Sequence, residues 1–218
     1  MKHLASISIA LSLSLFISND AMADDDRFYV SGNLGVGFLG SETLSYSDPS
    51  QSSTAKAEFD ASFAGGGTFG YYVTDNWRLE ADLMYRRNDL KNITLDGVGF
   101  STGGDFASLS FGVNALYEFQ PTSNPKLKTY VGAGIAFVQE IDIDFEVDST
   151  ETSFETDETG LQLQAGARYD LNERFFMDLT ARYLTVSGAR MEFQGDASRV
   201  VESDYSPLTF SLGLGWRF

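Results

Sequence analysis

Residues that could carry out chemistry are few in this chain. It has no cysteine, and its single histidine, His3, lies at the extreme N-terminus. Without imidazole or thiol groups, most nucleophilic and zinc-dependent mechanisms lack their usual parts. Glu80, Asp82 and Glu118 are carboxylates that could cooperate in hydrolysis, but structural ion pairing explains them equally well. We therefore expect no enzymatic activity and no catalytic residues.

Two segments match the glycine spacing of dinucleotide-binding loops, Gly35–Gly40 and Gly65–Gly70. That chemistry requires a helix to begin at the turn, because the N–H groups of its first turn bind the pyrophosphate. Both segments instead lie in strand-like alternating patterns with no helical period after them. We interpret these glycines as small residues that relieve crowding inside a narrow barrel, and we expect no cofactor.

The densest charge in the chain lies between residues 140 and 158, which include nine carboxylates and no basic residue. This surface acidic loop contains Glu140, Asp142, Asp144, Glu146, Asp148, Glu151, Glu155, Asp157 and Glu158. Its every-second-residue spacing resembles a calcium loop, but an EF-hand needs glycine at its sixth position and glutamate at its twelfth, where this chain has Val147 and Ser153. We expect no metal site. The alternative is weak divalent binding that bridges to lipopolysaccharide phosphates.

Eight segments of alternating apolar and polar residues would position these side chains. Each has roughly the 10 residues that a tilted strand needs to cross a bilayer, with successive side chains on opposite faces. The segments lie near residues 28–39, 59–71, 77–86, 108–119, 127–137, 161–169, 175–183 and 208–218. Short turns at Val73–Asn76, Gln120–Lys126 and Asp170–Arg174 alternate with long polar connections at 40–57, 88–105, 138–158 and 187–206. The pattern predicts an all-β fold: an eight-stranded antiparallel up-and-down transmembrane β-barrel with four long extracellular loops and three short periplasmic turns.

Alternation alone does not show which face of the barrel is apolar, since a soluble barrel would turn that face inward. Aromatic residues at segment ends, among them Phe59, Trp77 and Tyr183, and mixed charges on the polar face favour an apolar exterior. The polar face then predicts a lumen ion-pair network of Arg78, Glu80, Asp82, Arg86, Glu118, Lys128, Arg168, Asp178, Arg182 and Arg217. The alternative is an open aqueous pore, but side chains roughly fill the interior of eight strands, which favours a closed network.

Both ends of the chain have the character of export signals. Lys2 and His3 precede an apolar run and the small residues Ala21-Met22-Ala23, which predicts a cleaved signal peptide over residues 1–23 and a barrel domain over 24–218. The last strand alternates strictly and ends on Trp216-Arg217-Phe218.

That ending, with Tyr71–Trp77 at the first short turn and Tyr130–Gly134 in the fifth segment, resembles the small bacterial outer-membrane β-barrel family. The family includes the OmpA membrane domain, OmpX/Ail and the opacity-type proteins. The resemblance implies that Trp216 and Phe218 form the signal read by the barrel-assembly machinery. It also implies a location in the Gram-negative outer membrane, with loops extracellular and both termini periplasmic. The expected partners are outer-membrane lipid, lipopolysaccharide and an external surface ligand, with no nucleic acid, and we expect a monomer.

The net charge of −16 indicates where such a barrel would interact, because most of the excess lies in the long connections. Glu140–Val147 still alternates, which predicts that the fifth strand continues past the membrane and can accept a partner's strand. The alternative is a solvated acidic loop that only keeps the surface hydrophilic. The leading hypothesis is a structural and surface-interaction role, in adhesion or envelope integrity, through the long acidic loops. The alternative function is a small-solute, porin-like channel.

Overall fold

The computed structural model of the protein describes residues 27–50, 52–95, 98–100, 104–120, 123–147, 150–193 and 196–218. The predicted signal peptide, residues 1–23, lies outside the described residues. The described chain forms β1 (Phe28–Phe38), β2 (Glu42–Ser47), β3 (Ser52–Phe59), β4 (Ser62–Tyr72), β5 (Trp77–Leu95), β6 (Val98–Phe100), β7 (Asp105–Phe119), β8 (Leu127–Val147), β9 (Thr150–Asp170), β10 (Phe175–Phe193), β11 (Asp196–Tyr205) and β12 (Leu208–Arg217). Within this part of the chain, no helix has the length and hydropathy needed to cross a membrane.

Eight of the strands close into a ring. The order is β1, β4, β5, β7, β8, β9, β10 and β12, with every neighbour antiparallel, and β12 returns to pair with β1. The closing register runs from Tyr29 opposite Arg217 to Phe38 opposite Leu208. The predicted all-β, antiparallel barrel is confirmed, and its short turns connect β4 to β5, β7 to β8 and β9 to β10.

The ring turns its apolar face outward, as predicted for a membrane barrel. Leu34, Leu161 and Leu214 are each more than 60% exposed, whereas alternate residues such as Ser31 and Ser211 are buried. The aromatic prediction was wrong at Phe59. This residue belongs to β3 rather than to a ring strand, and its ring packs inward, 5.6 Å from the ring of Phe106.

The long connections are built mostly of strand, which is where the structure differs from the sequence-based expectation of loops. β2, β3 and β11 continue the lines of β1, β4 and β12 after breaks at residues 39–41, 60–61 and 206–207. β11 pairs with β10 and β2, β2 pairs with β3, and β3 pairs with the end of β5. These strands and the ends of β5 and β8–β10 form a second tier on the ring.

An apolar core fills the second tier and explains why these segments fold as sheet. The inward-facing side chains of Leu44, Leu90, Phe106, Leu184 and Met191 are buried against one another. Burial of a large apolar side chain contributes roughly 1.5–3 kcal/mol, more than a solvated loop would gain from the same residues. The interior is therefore apolar in the second tier and polar in the ring.

Candidate functional site

Charged side chains at the short-turn end of the ring meet in the middle of the barrel. They come from inward positions of β5, β7, β9 and β10, and we refer to them as the lower charge layer: Arg78, Glu80, Glu118, Arg168 and Asp178. None is more than 6% exposed. Buried charges are costly unless they are paired and hydrogen-bonded, so the contacts within the layer determine whether it is stable.

The two arginines of the lower charge layer each have carboxylate partners. Arg168 contacts Asp178 through two bonds, Nε–Oδ1 at 3.0 Å and Nη2–Oδ2 at 2.6 Å. Arg78 Nε lies 3.1 Å from Glu80 Oε1, and its Nη1 pairs with Glu118. Lys128 Nζ, 3.5 Å from Glu118 Oε2, adds a third cation, so three positive charges balance three carboxylates.

Aromatic side chains complete the lower charge layer. Tyr29 donates a hydrogen bond to Glu80, and Tyr72 Oη donates to Glu118 Oε1 at 3.0 Å. The Arg168 guanidinium lies 3.8 Å from the ring centroid of Phe176, and that of Arg78 lies 4.2 Å from the ring of Tyr130. These rings occupy inward positions on their strands. The alternation of apolar and polar residues that predicted the charged lumen side chains could therefore also have identified these aromatic ones.

The rim of the barrel at the short-turn end carries Lys128 and Arg217. Arg217 Nη2 lies 2.5 Å from Asp170 Oδ1, and about a third of the Lys128 side chain is exposed. Both residues line a cavity of about 620 Å³ together with Arg27 and Tyr72. This cavity lies at the short-turn end, where the lower charge layer meets solvent.

A second polar level lies in the ring above the first, and we call it the upper polar layer: Asp82, Arg86, Asn114, Gln162, Gln164 and Arg182. Asp82 Oδ2 accepts hydrogen bonds from Asn114 Nδ2 at 2.5 Å and Gln162 Nε2 at 3.0 Å. Arg182 Nη2 is 3.9 Å from the same oxygen. The side-chain amides of this layer are uncharged, so a prediction based on charged residues could not include them in the network.

Arg86 differs from the other predicted network members because hydroxyl groups, not carboxylates, are its partners. Its Nε donates to Thr209 Oγ1 at 3.2 Å and its Nη1 to Ser110 Oγ at 2.8 Å. Among the described residues, no carboxylate lies within ion-pair distance of Arg86. In the same part of the chain, no group of three or more acidic or histidine side chains is arranged to hold a metal ion.

The predicted surface acidic loop is largely a β-hairpin of β8 and β9. The backbones of Glu140, Asp142, Asp144 and Glu146 lie in β8 and those of Glu151, Glu155, Asp157 and Glu158 in β9, while Asp148 lies outside the described residues. Asp142 is directly opposite Glu155, and Glu146 is opposite Glu151. Beyond Ile143, β8 pairs with β9 only, among the described residues, so the hairpin ends in a two-stranded tip.

The residues predicted as the assembly signal lie where the ring closes. Phe218 N donates a hydrogen bond to Phe28 O at 2.9 Å. The Phe218 ring lies 6.3 Å from the ring of Phe28 and 5.0 Å from that of Trp216. The last residues therefore join the first strand at the short-turn end of the barrel.

A closed ring of eight strands with an apolar exterior and a charged interior defines a transmembrane β-barrel, since closure leaves no strand edge exposed to lipid. The family model described as "Outer membrane protein beta-barrel domain" matches residues 8–218, and the chain belongs to this family. The resemblance to small outer-membrane barrels is thereby confirmed, and membership supports a location in the outer membrane.

Solved structures with the same fold are distant in sequence. The chain is similar to the outer membrane protein OprG from Pseudomonas aeruginosa, with a TM-score of 0.68 and 18% identity over 88% of this chain and 96% of that one. It is also similar to Neisserial surface protein A, with a TM-score of 0.51 and 17% identity over 88% and 97%. At this identity the similarity shows the fold alone. No curated protein sequence matches the chain.

Proposed function

We propose that this protein is a closed, non-enzymatic outer-membrane barrel that interacts at the cell surface through its acidic hairpin, residues 140–158. The observation that carries the proposal is the length of this hairpin. β8 and β9 each contain 21 residues, roughly 70 Å of strand, whereas crossing the bilayer needs about 10. With the short turns in the periplasm, the tip extends beyond the second tier on the extracellular side.

Acidic residues that lie directly opposite one another in the hairpin support a basic binding partner. The Asp142–Glu155 and Glu146–Glu151 positions face one another across the ladder, and like charges directly opposite destabilise a strand pair. A basic peptide or a cation-bearing surface would offset that repulsion. Among the described residues, the outer edge of β8 from Asp144 to Val147 also pairs with no strand, and such an edge can accept an added strand. Both features support a role in adhesion or envelope integrity.

Neutralising the hairpin tests the surface role. The variant Asp142→Asn/Asp144→Asn/Glu146→Gln/Glu151→Gln should reduce retention of barrel-bearing vesicles on a polylysine surface by at least tenfold. The matched control neutralises four second-tier carboxylates, with the substitutions Glu192→Gln, Glu202→Gln, Asp204→Asn and Glu58→Gln, and should retain binding. Both proteins must migrate as compact species on an unheated denaturing gel. Equal retention by the two variants would refute the hairpin as the binding element.

A small-solute role is the second candidate, because the second tier contains a cavity of about 210 Å³. Leu44, Tyr46, Ile93 and Val201 are among its lining residues, so it suits a small apolar molecule. The path below is filled by the upper polar layer and the lower charge layer. A solute would instead leave sideways, where the neighbouring strand lines of β1, β4 and β12 all break at one height.

Filling this cavity separates the second candidate from the first. Ala55 lines the cavity, whereas its neighbour Thr54 is exposed. Ala55→Trp should weaken binding of the apolar dye 1-aminoanthracene at least tenfold, and Thr54→Trp should leave it unchanged. Dye binding that is the same in both variants, or that is absent from the unmodified barrel, would remove the candidate.

A further inference from the structure

In the part of the chain that the structure describes, the interior of the ring contains one more positively charged side chain than carboxylates. Three cations and three carboxylates balance in the lower charge layer and at Lys128. The upper polar layer holds two guanidinium groups, Arg86 and Arg182, but one carboxylate, Asp82. That carboxylate accepts hydrogen bonds from Asn114 and Gln162 and lies 3.9 Å from Arg182. Among the residues that the structure describes, one buried charge is therefore left without a counterion.

Arg86 on β5 and Arg182 on β10 lie at the same height in the barrel, although their strands are on opposite sides of the ring. Arg86 Nε reaches across to Thr209 Oγ1 at 3.2 Å. Thr209 is the direct cross-strand partner of Arg182 in the β10–β12 ladder. The two side chains are 1% and 3% exposed, so bulk water does not screen either charge.

Both guanidinium groups have donors that no described residue satisfies. Arg86 Nη2 and Arg182 Nε and Nη1 lack a hydrogen-bond acceptor, and so does Nε2 of Gln164. Gln164 belongs to the same level, since it is the cross-strand partner of Arg182 and its Oε1 accepts from Arg182 Nη2 at 3.3 Å. Water could accept from these donors, but it would leave the extra charge uncompensated, and buried charges are costly without a partner.

We propose that Arg86 and Arg182, with Gln164 as a third donor group, bind one monovalent anion in the lumen. The geometry suits a halide or a carboxylate, because guanidinium forks match both the charge and the planar oxygens of a carboxyl group. Leu184 follows Arg182 at the next inward position of β10 and belongs to the apolar core of the second tier. A carboxylate bound here would therefore lie directly below this apolar core. The site does not depend on the proposed surface role of the hairpin.

Anion-dependent stability of the refolded full-length barrel tests the site without any substitution. The protein is melted in nonionic detergent with sodium sulfate, whose divalent anion does not match a single excess positive charge, and the salt is then replaced stepwise by sodium chloride or sodium hexanoate at constant ionic strength. A ligand that binds only the folded state raises the melting temperature in a saturable way. A response to chloride alone identifies a free halide, and a stronger response to hexanoate identifies a carboxylate head group. No response to either anion overturns the proposal.

Substitutions place the response at the two arginines. Arg86→Gln and Arg182→Gln should each weaken anion binding at least tenfold by titration calorimetry. Arg87→Gln is the matched control, because this neighbour on β5 is about half exposed and pairs with Asp105 at 2.9 Å, and its affinity should be unchanged. Asp82→Asn removes the competing carboxylate and should tighten binding, which decides the matter if the arginine variants do not fold. Unchanged affinity in Asp82→Asn, or equal loss in Arg87→Gln, contradicts the assignment.

Discussion

Arg168 and Asp178 are direct cross-strand partners on β9 and β10, and they join through two charge-assisted hydrogen bonds of 3.0 and 2.6 Å. Both are buried, and the Arg168 guanidinium stacks 3.8 Å from the ring centroid of Phe176. The pair therefore links β9 to β10 within the lower charge layer. Because its charges are inside, its effect on stability depends on whether both partners are present.

Removing one partner of this pair should be costly. Asp178→Asn leaves the Arg168 charge buried with weakened compensation, and we expect a loss of about 3–5 kcal/mol in the free energy of unfolding. Replacing both residues, as Arg168→Met/Asp178→Leu, should cost much less than Asp178→Asn. Urea unfolding in liposomes, followed by tryptophan fluorescence, measures both values.

An exposed ion pair supplies the control for this measurement. Lys91 Nζ lies 3.6 Å from Asp60 Oδ1, and both side chains are 61% exposed. Lys91→Gln should therefore cost less than about 1 kcal/mol. If Asp178→Asn costs no more than Lys91→Gln, the lower charge layer is not a tightly coupled buried network.

Glycine is required on the lumen face where aromatic rings approach the wall. A Cβ on Gly70 would overlap the ring of Tyr29, whereas a Cβ on Gly32, which faces lipid, would meet nothing within 4 Å. Overpacking of this kind costs about 1–3 kcal/mol. Gly70→Ala should be destabilised by that amount in urea unfolding and Gly32→Ala should not, and similar values for the two would argue against the inward position of Tyr29.

A charged substitution on the lipid-facing surface should cost more folding free energy the deeper it lies in the bilayer. Leu34 lies near the middle of β1 and is 65% exposed, so Leu34→Arg should lose about 2–4 kcal/mol of folding free energy in a bilayer. Leu95, at the end of β5 in the second tier, is also exposed, but it lies beyond the ring. Leu95→Arg should fold with little loss. Equal losses at the two positions would place the membrane boundary elsewhere.

The ring could be predicted from sequence because each of its strands carries its own signal. Strict alternation in a segment such as Leu208–Phe218 determines the two faces of a strand without knowledge of its neighbours. The second tier could not be predicted in this way. Residues 40–57 are rich in serine, and what holds them as β2 and β3 is pairing with β11 and β5, which are distant in sequence.

The polar interior shows the same division between local and distant information. Alternation predicts which side chains share the lumen face, and for Arg168 the ladder partner Asp178 is close along the chain. Arg86 instead reaches Thr209, 123 residues away. Which side chains meet across a barrel depends on strand tilt and stagger, and a sequence pattern does not specify these.

Stability of the second tier should depend on pH through Glu42 in β2. Partial burial, and then the charge of Asp204, raise the pKa of Glu42 from 4.5 to about 7. The folded state therefore binds a proton more tightly than the unfolded state, so this residue favours folding increasingly as pH falls from about 7 toward 4.5. Glu42→Gln should melt at a higher temperature than the unmodified protein at pH 8, with the difference lost near pH 5.

A neighbouring carboxylate provides the comparison for the pH experiment. Glu202 on β11 is exposed and lies opposite Ser45 of β2. Glu202→Gln makes the same side-chain exchange at this exposed position, and at pH 8 it should change the melting temperature by less than Glu42→Gln does. A pH-independent difference between Glu42→Gln and the unmodified protein would contradict the proposed titration.

Conductance tests the proposed closed lumen most directly, because the side chains of the lower charge layer are buried in the middle of the ring and paired with one another. Refolded protein covering residues 24–218 is inserted into a planar lipid bilayer after a gel has confirmed the compact, folded species. We predict a silent membrane. Steady, reproducible current steps from the folded barrel would show an open pore and contradict the closed lumen.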